Sequence, residues 1–499
     1  MQKTIRKSSI VLFAILFAAL MAFAALPVHA LSFDQTLTIQ GVESGNTVTG
    51  YQIVKDDGSG NWVVANSNIS IKNPEQPTAA EINKIAGQVK GLNLQTVDFK
   101  ESNGDYTATA PAAGSYLVLV TNGANATYVY SPMLVSADYD GANGTKTLDK
   151  TTADAKKTQP GVEKFITKKN GAAPSNAKGV TLAPGDKVSF EITPTIPNYG
   201  AEYTNATYTV ADTLTNMTLS GDITVTGATD KDYTVTQTDK SFTIEFKQDF
   251  LTSGSAKNVS ITYDAILDTA AQSGFADNPN KVKVTYSNNP NTSDNTKTVE
   301  KQTHQYTFDI DGDINGENSE QTKDIVKVGV DQKGDLITTT TYGDMTTDKN
   351  PLQGAEFTLT SQDGKVTKTV TTDDNGLMKI SGLDAGSYIL KETKAPAGYK
   401  LDTTEIPVTI SATLNDDGTL KEYEININGT NTNTYTATYT NGTKTVAAAN
   451  ANKTSLFNDA KSNGLPATGG AGIFFYLIVG GALVALAVVL YTKNRKNQA

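Results

Sequence analysis

No cysteine occurs anywhere in the 499 residues, although the chain opens with the marks of an exported protein. Lys3, Arg6 and Lys7 precede an apolar run from about Ile10 to Leu26, and Val28-His29-Ala30 follows with small residues where a signal peptidase reads. The mature chain is therefore expected to begin near Leu31. An exported fold without cysteine cannot be stapled by disulfides. Its stability must come from packing or from some other covalent chemistry.

The length suggests about three domains. Lys and Arg number 42 against 52 Asp and Glu, a net charge of −10, so there is no basic surplus for nucleic acid. The two histidines are His29, in the leader, and His304, which argues against a His-based catalytic centre or zinc site. No cofactor is expected, and the chain is not read as a turnover enzyme.

Strand signals recur along the mature chain. Thr36-Leu37-Thr38-Ile39 alternates, Tyr51-Gln52-Ile53-Val54 and Gly114 to Val120 are apolar-rich, and Gly-Asn and Asp-Gly pairs separate such runs. Thr78 to Leu92 is the one helix candidate, because Ile82, Ile85, Ala86 and Val89 fall at helical spacing. Later strands are expected at Gln159 to Ile166, Tyr208 to Leu214, Asn280 to Tyr286 and Asp324 to Val330, then within Leu352 to Leu359 and Gly382 to Tyr399, the last strand ending in Leu456-Phe457-Asn458. Short strands with frequent turns indicate an all-β protein of tandem antiparallel sandwiches. The expected divisions are a leader over 1–30, domains over 31–155, 156–301 and 321–460, an acidic connector over 302–320, and a terminal signal over 461–499.

That last segment combines three parts. Leu465-Pro466-Ala467-Thr468-Gly469 comes first, then an apolar stretch from Gly470 to Tyr491 long enough to span a bilayer, then Lys493, Arg495 and Lys496. The order resembles a sortase sorting signal. The resemblance implies cleavage between Thr468 and Gly469, a thioacyl enzyme at Thr468, and attack on it by an amine.

Tyr388-x-Leu390-x-Glu392-x-x-Ala395-Pro396-x-Gly398-Tyr399 matches the E-box of sortase-assembled pilins. The third domain resembles Cna-B-type immunoglobulin-like domains and the second a Cna-A-like middle domain, so nearly the whole chain resembles a major, or backbone, pilin of Gram-positive bacteria. The resemblance implies intramolecular isopeptide bonds. Burial would deprotonate a lysine and keep a nearby carboxyl group protonated. The amine would then attack an Asn side chain, the acid shuttling protons and ammonia leaving. The residues implied are Lys327, Glu392 and Asn458 in the third domain, and Lys164, Asp212 and Asn280 in the second, with Asn278 as a fallback acceptor. No such set stands out in the first domain, where Lys55 has no matching acid and Asn.

The family joins subunits through a lysine between the first two domains, often in a Tyr-Pro-Lys-Asn-like motif. Here the stretch is Asp154-Ala155-Lys156-Lys157-Thr158-Gln159-Pro160, without Tyr-Pro. Alignment to Pro160 and Lys164 selects Lys156, with Lys157 as the alternative. Asp309, Asp311, Asp313 and Asn315 have the alternating oxygens of a calcium loop, but position twelve counted from Asp311 is Thr322, so a solvated connector is favoured. The resemblance implies a shaft subunit on the cell surface, polymerised by a class C sortase, fixed to peptidoglycan by a housekeeping sortase, and associated with minor pilins and host ligands. The rivals are a wall-anchored monomeric adhesin and a minor basal or tip pilin.

Overall fold

The computed structural model describes residues 35–138, 151–290, 296–310, 325–330, 340–460 apart from short gaps, and 482–488. The leader and the sorting motif Leu465 to Gly469 lie outside the described residues. Of the apolar stretch, 482–488 is helical, and no described helix is long and apolar enough to cross a membrane.

The first domain is one eight-stranded sheet whose path runs Met133–Ala137, Gly114–Thr121, Thr47–Asp56, Thr96–Ser102, Asp105–Thr109, Thr36–Gln40 and Thr152–Asp154, with Trp62–Val64 alongside Thr47–Asp56. Gly114–Thr121 is buried on both faces because each face meets its own core. Tyr116, Val118 and Val120 pack with Leu37 and Val135, while Leu117 and Leu119 pack under a helix. That helix, Ala79–Ala86, is shorter than the periodicity suggested and is followed by a 3-10 turn at Val89–Gly91. It starts at a capping box in which Thr78 and Glu81 satisfy each other's backbone N–H groups.

The second domain is a sandwich. A four-stranded sheet ordered Gly161–Lys169, Lys187–Thr195, Ser260–Leu267, Met217–Thr226 faces a six-stranded sheet that includes Tyr208–Leu214 and Asn280–Ser287 as neighbours. Alternate residues such as Val188, Phe190, Ile192, Val282 and Val284 fill the space between them.

The third domain carries a seven-stranded sheet ordered Thr367–Thr371, Glu356–Ser361, Gly386–Lys394, Glu405–Leu414, Leu420–Ile427, Asn431–Thr440, Thr443–Ala449. Its first strand, Ile325–Val330, pairs in parallel with its last, Ser455–Ala460.

The proposed connector needs correcting over 302–310. These residues lie in strands Thr296–Tyr306 and Phe308–Ile310, and Tyr306, Phe308 and Ile310 belong to the core of the third domain. The acidic residues begin only at Asp309, and the apolar side chains of Tyr306, Phe308 and Ile310 decide the burial here. The strand that closes the second domain thus runs directly into the third. The backbones also meet at Gly418, whose φ is +88° and where a Cβ would lie 2.3 Å from the carbonyl of Lys178.

Where the first domain meets the second, the Ala201 N–H donates to Asn83 Oδ1 at 3.0 Å. The next residue, Glu202, is buried with its Oε2 unpartnered among the described residues. Burial pushes its pKa up to about 7. A carboxyl group raised on folding stabilises below its ordinary pKa, and that stability is lost as pH rises through about 7. Glu202→Gln should therefore come nearest the parent in denaturant midpoint at about pH 4, below the ordinary carboxyl pKa. At pH 8 it should be more stable by up to about 3 kcal/mol.

Candidate crosslinking sites

Strand Gly161–Lys169 buries Val162, Lys164 and Ile166 on one side, so a lysine occupies an inward position in an otherwise apolar register. Lys164 is 1% exposed. Its Nζ is bonded to Asp212 Oδ2 and lies 2.8 Å from Asn280 Oδ1 and 2.6 Å from Tyr263 Oη. Asp212 and Asn280 come from paired strands of the facing sheet. The site therefore spans the sandwich.

Burial pulls the Lys164 amine down to about 8, against the pull of Asp212. Burial likewise pushes the Asp212 carboxyl up. Both directions favour a neutral amine beside a neutral acid, the state needed for nucleophilic attack. Tyr263 was not anticipated. Its hydroxyl donates to Asp212 Oδ1 and accepts from Asn280 Nδ2, each at 2.8 Å. The alternation of Ile261, Tyr263 and Ala265 along strand Ser260–Leu267 was the signal that could have found it. Asn278, the fallback acceptor, is buried elsewhere: its amide bonds the backbone of Gln272 and the side chain of Asn216.

In the third domain Lys327 is 1% exposed. Its Nζ stands 3.2 Å from Glu392 Oε1, 2.7 Å from Asp459 Oδ1 and 5.3 Å from the Phe357 ring centre. The described side chain that meets the lysine from this strand is Asp459, one residue beyond the expected Asn458, whose side chain lies outside the described residues. The reason is the two-residue period of a strand. The parallel register pairs Lys327 with Phe457, so residue 459 shares the face of Lys327 and Asn458 is one residue out of step.

Glu392 Oε1 and Asp459 Oδ2 are both buried and neither accepts a hydrogen bond from a described donor. Burial raises both carboxyl groups, and the charge of Asp459 raises Glu392 further. Two neighbouring acceptor-only oxygens out of water are reconciled when one acid keeps its proton and donates it to the other. The E-box wraps this site. Tyr399 packs where a Cβ on Gly329 would lie 2.7 Å from its ring, and the Lys400 N–H donates to Ala460 O at 2.9 Å.

Lys156 is exposed and leaves its backbone carbonyl to accept from Ser131 N at 2.8 Å. Lys157 is also exposed, but its Nζ donates to Gly41 O at 2.6 Å and sits 4.4 Å from the Tyr128 ring centre. Of the calcium-loop candidates, Asp309 accepts from Gly382 N at 3.0 Å within the third domain, while Asp311, Asp313 and Asn315 lie outside the described residues. Among the described residues no group of acidic or histidine side chains could hold a metal ion.

Three family profiles match the chain: a T6 antigen Ig-like domain at residues 34–159, a SpaA prealbumin-like fold domain at 340–429, and an LPXTG cell wall anchor motif at 458–498. The trypsin-resistant surface T6 protein of Streptococcus pyogenes serotype M6 is 28% identical over 445 residues, covering 79% of this chain and 76% of that protein. A collagen adhesin of Staphylococcus aureus is 39% identical over 74 residues, 13% of this chain and 6% of the adhesin. The solved structure of the T6 backbone pilin of serotype M6 Streptococcus pyogenes, described as modular and three-domain, superposes with a TM-score of 0.53 at 23% identity. The match covers 86% of this chain and 98% of that one.

Proposed function

We propose that this chain, a backbone pilin anchored to a Gram-positive cell wall through its LPXTG motif, is held together by two intramolecular isopeptide bonds, Lys164–Asn280 and Lys327–Asp459. The carrying observation is that each lysine, 1% exposed, reaches an Asn or Asp side chain at 2.8 Å or less with a separate acid, Asp212 or Glu392, beside it.

In the second domain, neutral Lys164 Nζ attacks Asn280 Cγ. Asp212 takes the proton that the amine loses, the Cγ–Nδ2 bond breaks, and ammonia departs. In the third domain, Lys327 passes one proton to the carboxyl pair, and its neutral Nζ then attacks Cγ of protonated Asp459. Protonated Glu392 gives its proton to the leaving oxygen and regains one from the amine, so the product beside the new amide is water. Each reaction occurs once, within one chain, where proximity replaces a second-order encounter. No cofactor takes part.

Polymerisation follows from the tail. The acyl group of Thr468 passes to Lys156 of the next copy through a class C sortase, and a housekeeping sortase transfers the finished fibre, with its minor pilins, to peptidoglycan. What favours Lys156 over Lys157 is that the amine of Lys157 is engaged by Gly41 and Tyr128. A blot of wall extracts against this subunit should show a ladder of high-mass bands that survives SDS, and Lys156→Ala should collapse it to one band. A single band from the parent strain overturns the shaft reading. A ladder that persists in Lys156→Ala but is lost in Lys157→Ala moves the junction by one residue.

A further inference from the structure

Ammonia cannot leave Asn280 as an anion. The amide nitrogen must gain a proton as the Cγ–Nδ2 bond breaks. Asp212 is the acid of the site, yet its two oxygens are taken by Lys164 and Tyr263, and no described hydrogen bond joins it to Asn280. The atom that touches both is Tyr263 Oη, 2.8 Å from Asp212 Oδ1, 2.8 Å from Asn280 Nδ2, and 2.6 Å from the attacking nitrogen. We propose that Tyr263 is a catalytic residue of the second-domain crosslink, passing a proton from Asp212 to the departing nitrogen of Asn280.

The step balances. At rest the Tyr263 hydroxyl donates to Asp212 Oδ1 and accepts from Asn280 Nδ2. Once the attack makes Nδ2 tetrahedral, the O–H turns to it and gives its proton, Asp212 restores the phenol, and Lys164 Nζ returns a proton to Asp212 Oδ2. The bond Nζ–Cγ forms, Cγ–Nδ2 breaks, and acid and phenol end as they began. The hydroxyl is held for this by its ring, stacked on Phe190 at 5.3 Å and set edge-on to Phe242 at 4.9 Å. Burial keeps the phenol protonated by raising its pKa well above the ordinary value. In the third domain the acid and the acceptor both stand at the lysine, Glu392 Oε1 at 3.2 Å and Asp459 Oδ1 at 2.7 Å from Lys327 Nζ. No intervening hydroxyl is needed there.

This inference rests on the Lys164–Asn280 bond, and one experiment separates the two. The whole secreted chain is purified at timed intervals after synthesis and each crosslink is followed by peptide mass. Parent protein that never links Lys164 to Asn280 removes both ideas. If the parent links, Tyr263→Phe should form the second-domain bond at least about 10-fold more slowly, within the range general acids contribute, while the Lys327 crosslink forms at the parent rate and reports a folded chain. A parent-like rate at Lys164 in Tyr263→Phe overturns the relay. Fluorotyrosine at 263 keeps the packing and acidifies the phenol. A shifted pH profile of crosslinking supports proton transfer through Oη, and an unshifted one overturns it.

Discussion

Lys164→Ala should leave the second domain without its crosslink and turn it into the weak link of the subunit. Intact mass should show the ~17 Da of ammonia retained, after correction for the substitution itself. The stability cost follows from loop closure. A crosslink spanning about 100 residues is worth roughly 4–5 kcal/mol in the chain-entropy treatment of disulfides. A whole domain is held by only about 5–15 kcal/mol, so roughly a quarter or more of the margin goes. The variant also strands Asp212 in the core, bonded to Tyr263 alone. Burial raises that carboxyl group, and loss of the Lys164 charge that had opposed the rise favours its neutral form further. Trypsin at a dose that leaves the parent intact should cut the variant within 161–290, and its denaturant midpoint should fall. Equal mass deficits in parent and variant would remove the bond.

How far these sites could be read from sequence depended on which signal carried them. Lys164, Asp212 and Asn280 were legible because each sits in a strand of clear alternation: Val162 and Ile166 flank the lysine, Val210 and Leu214 the acid, and Val282 and Val284 follow the Asn. Lys327 and Glu392 were legible because the E-box fixes the acid and the valines around residue 327 mark a buried strand. Asp459 was hidden by ambiguity of register. The run Phe457-Asn458-Asp459 offers two carbonyl acceptors on adjacent residues, and only pairing with strand Ile325–Val330 decides which of them meets the lysine. Tyr263 was hidden because an aromatic at an inward position reads as core, which it also is. The join between the second and third domains was misread for a different reason. Asp309 and its acidic neighbours dominate the composition, whereas Tyr306, Phe308 and Ile310 find apolar partners from the far domain, including Phe357 and Leu359. Local polarity could not reveal a core built by a distant segment.

Asp459→Ala is expected to abolish the third-domain crosslink, and Asn458→Ala to leave it intact. The two acceptors also differ in what they release. A bond through Asp459 expels water, ~18 Da, whereas a bond through Asn458 would expel ammonia, ~17 Da. The parent domain alone therefore discriminates at unit mass resolution, and the variants check it by a second route. A deficit of ammonia that disappears in Asn458→Ala would restore the asparagine and require a register different from the pairing of Gly329 with Asp459. The mechanical effect should exceed the thermodynamic one. Strand Ser455–Ala460 is the last described strand before Thr468, the residue proposed to join each subunit to its neighbour, and it lies in parallel beside strand Ile325–Val330 of the same domain. Without the amide, load on the tail is borne by the hydrogen bonds of that one strand pair and of Lys400 to Ala460, each worth about 1 kcal/mol net. With it, force passes from residue 459 into residue 327 through covalent bonds, and the sheet is bypassed. In force spectroscopy of the whole subunit pulled through its ends, the parent should show no third-domain unfolding step, and Asp459→Ala should acquire one.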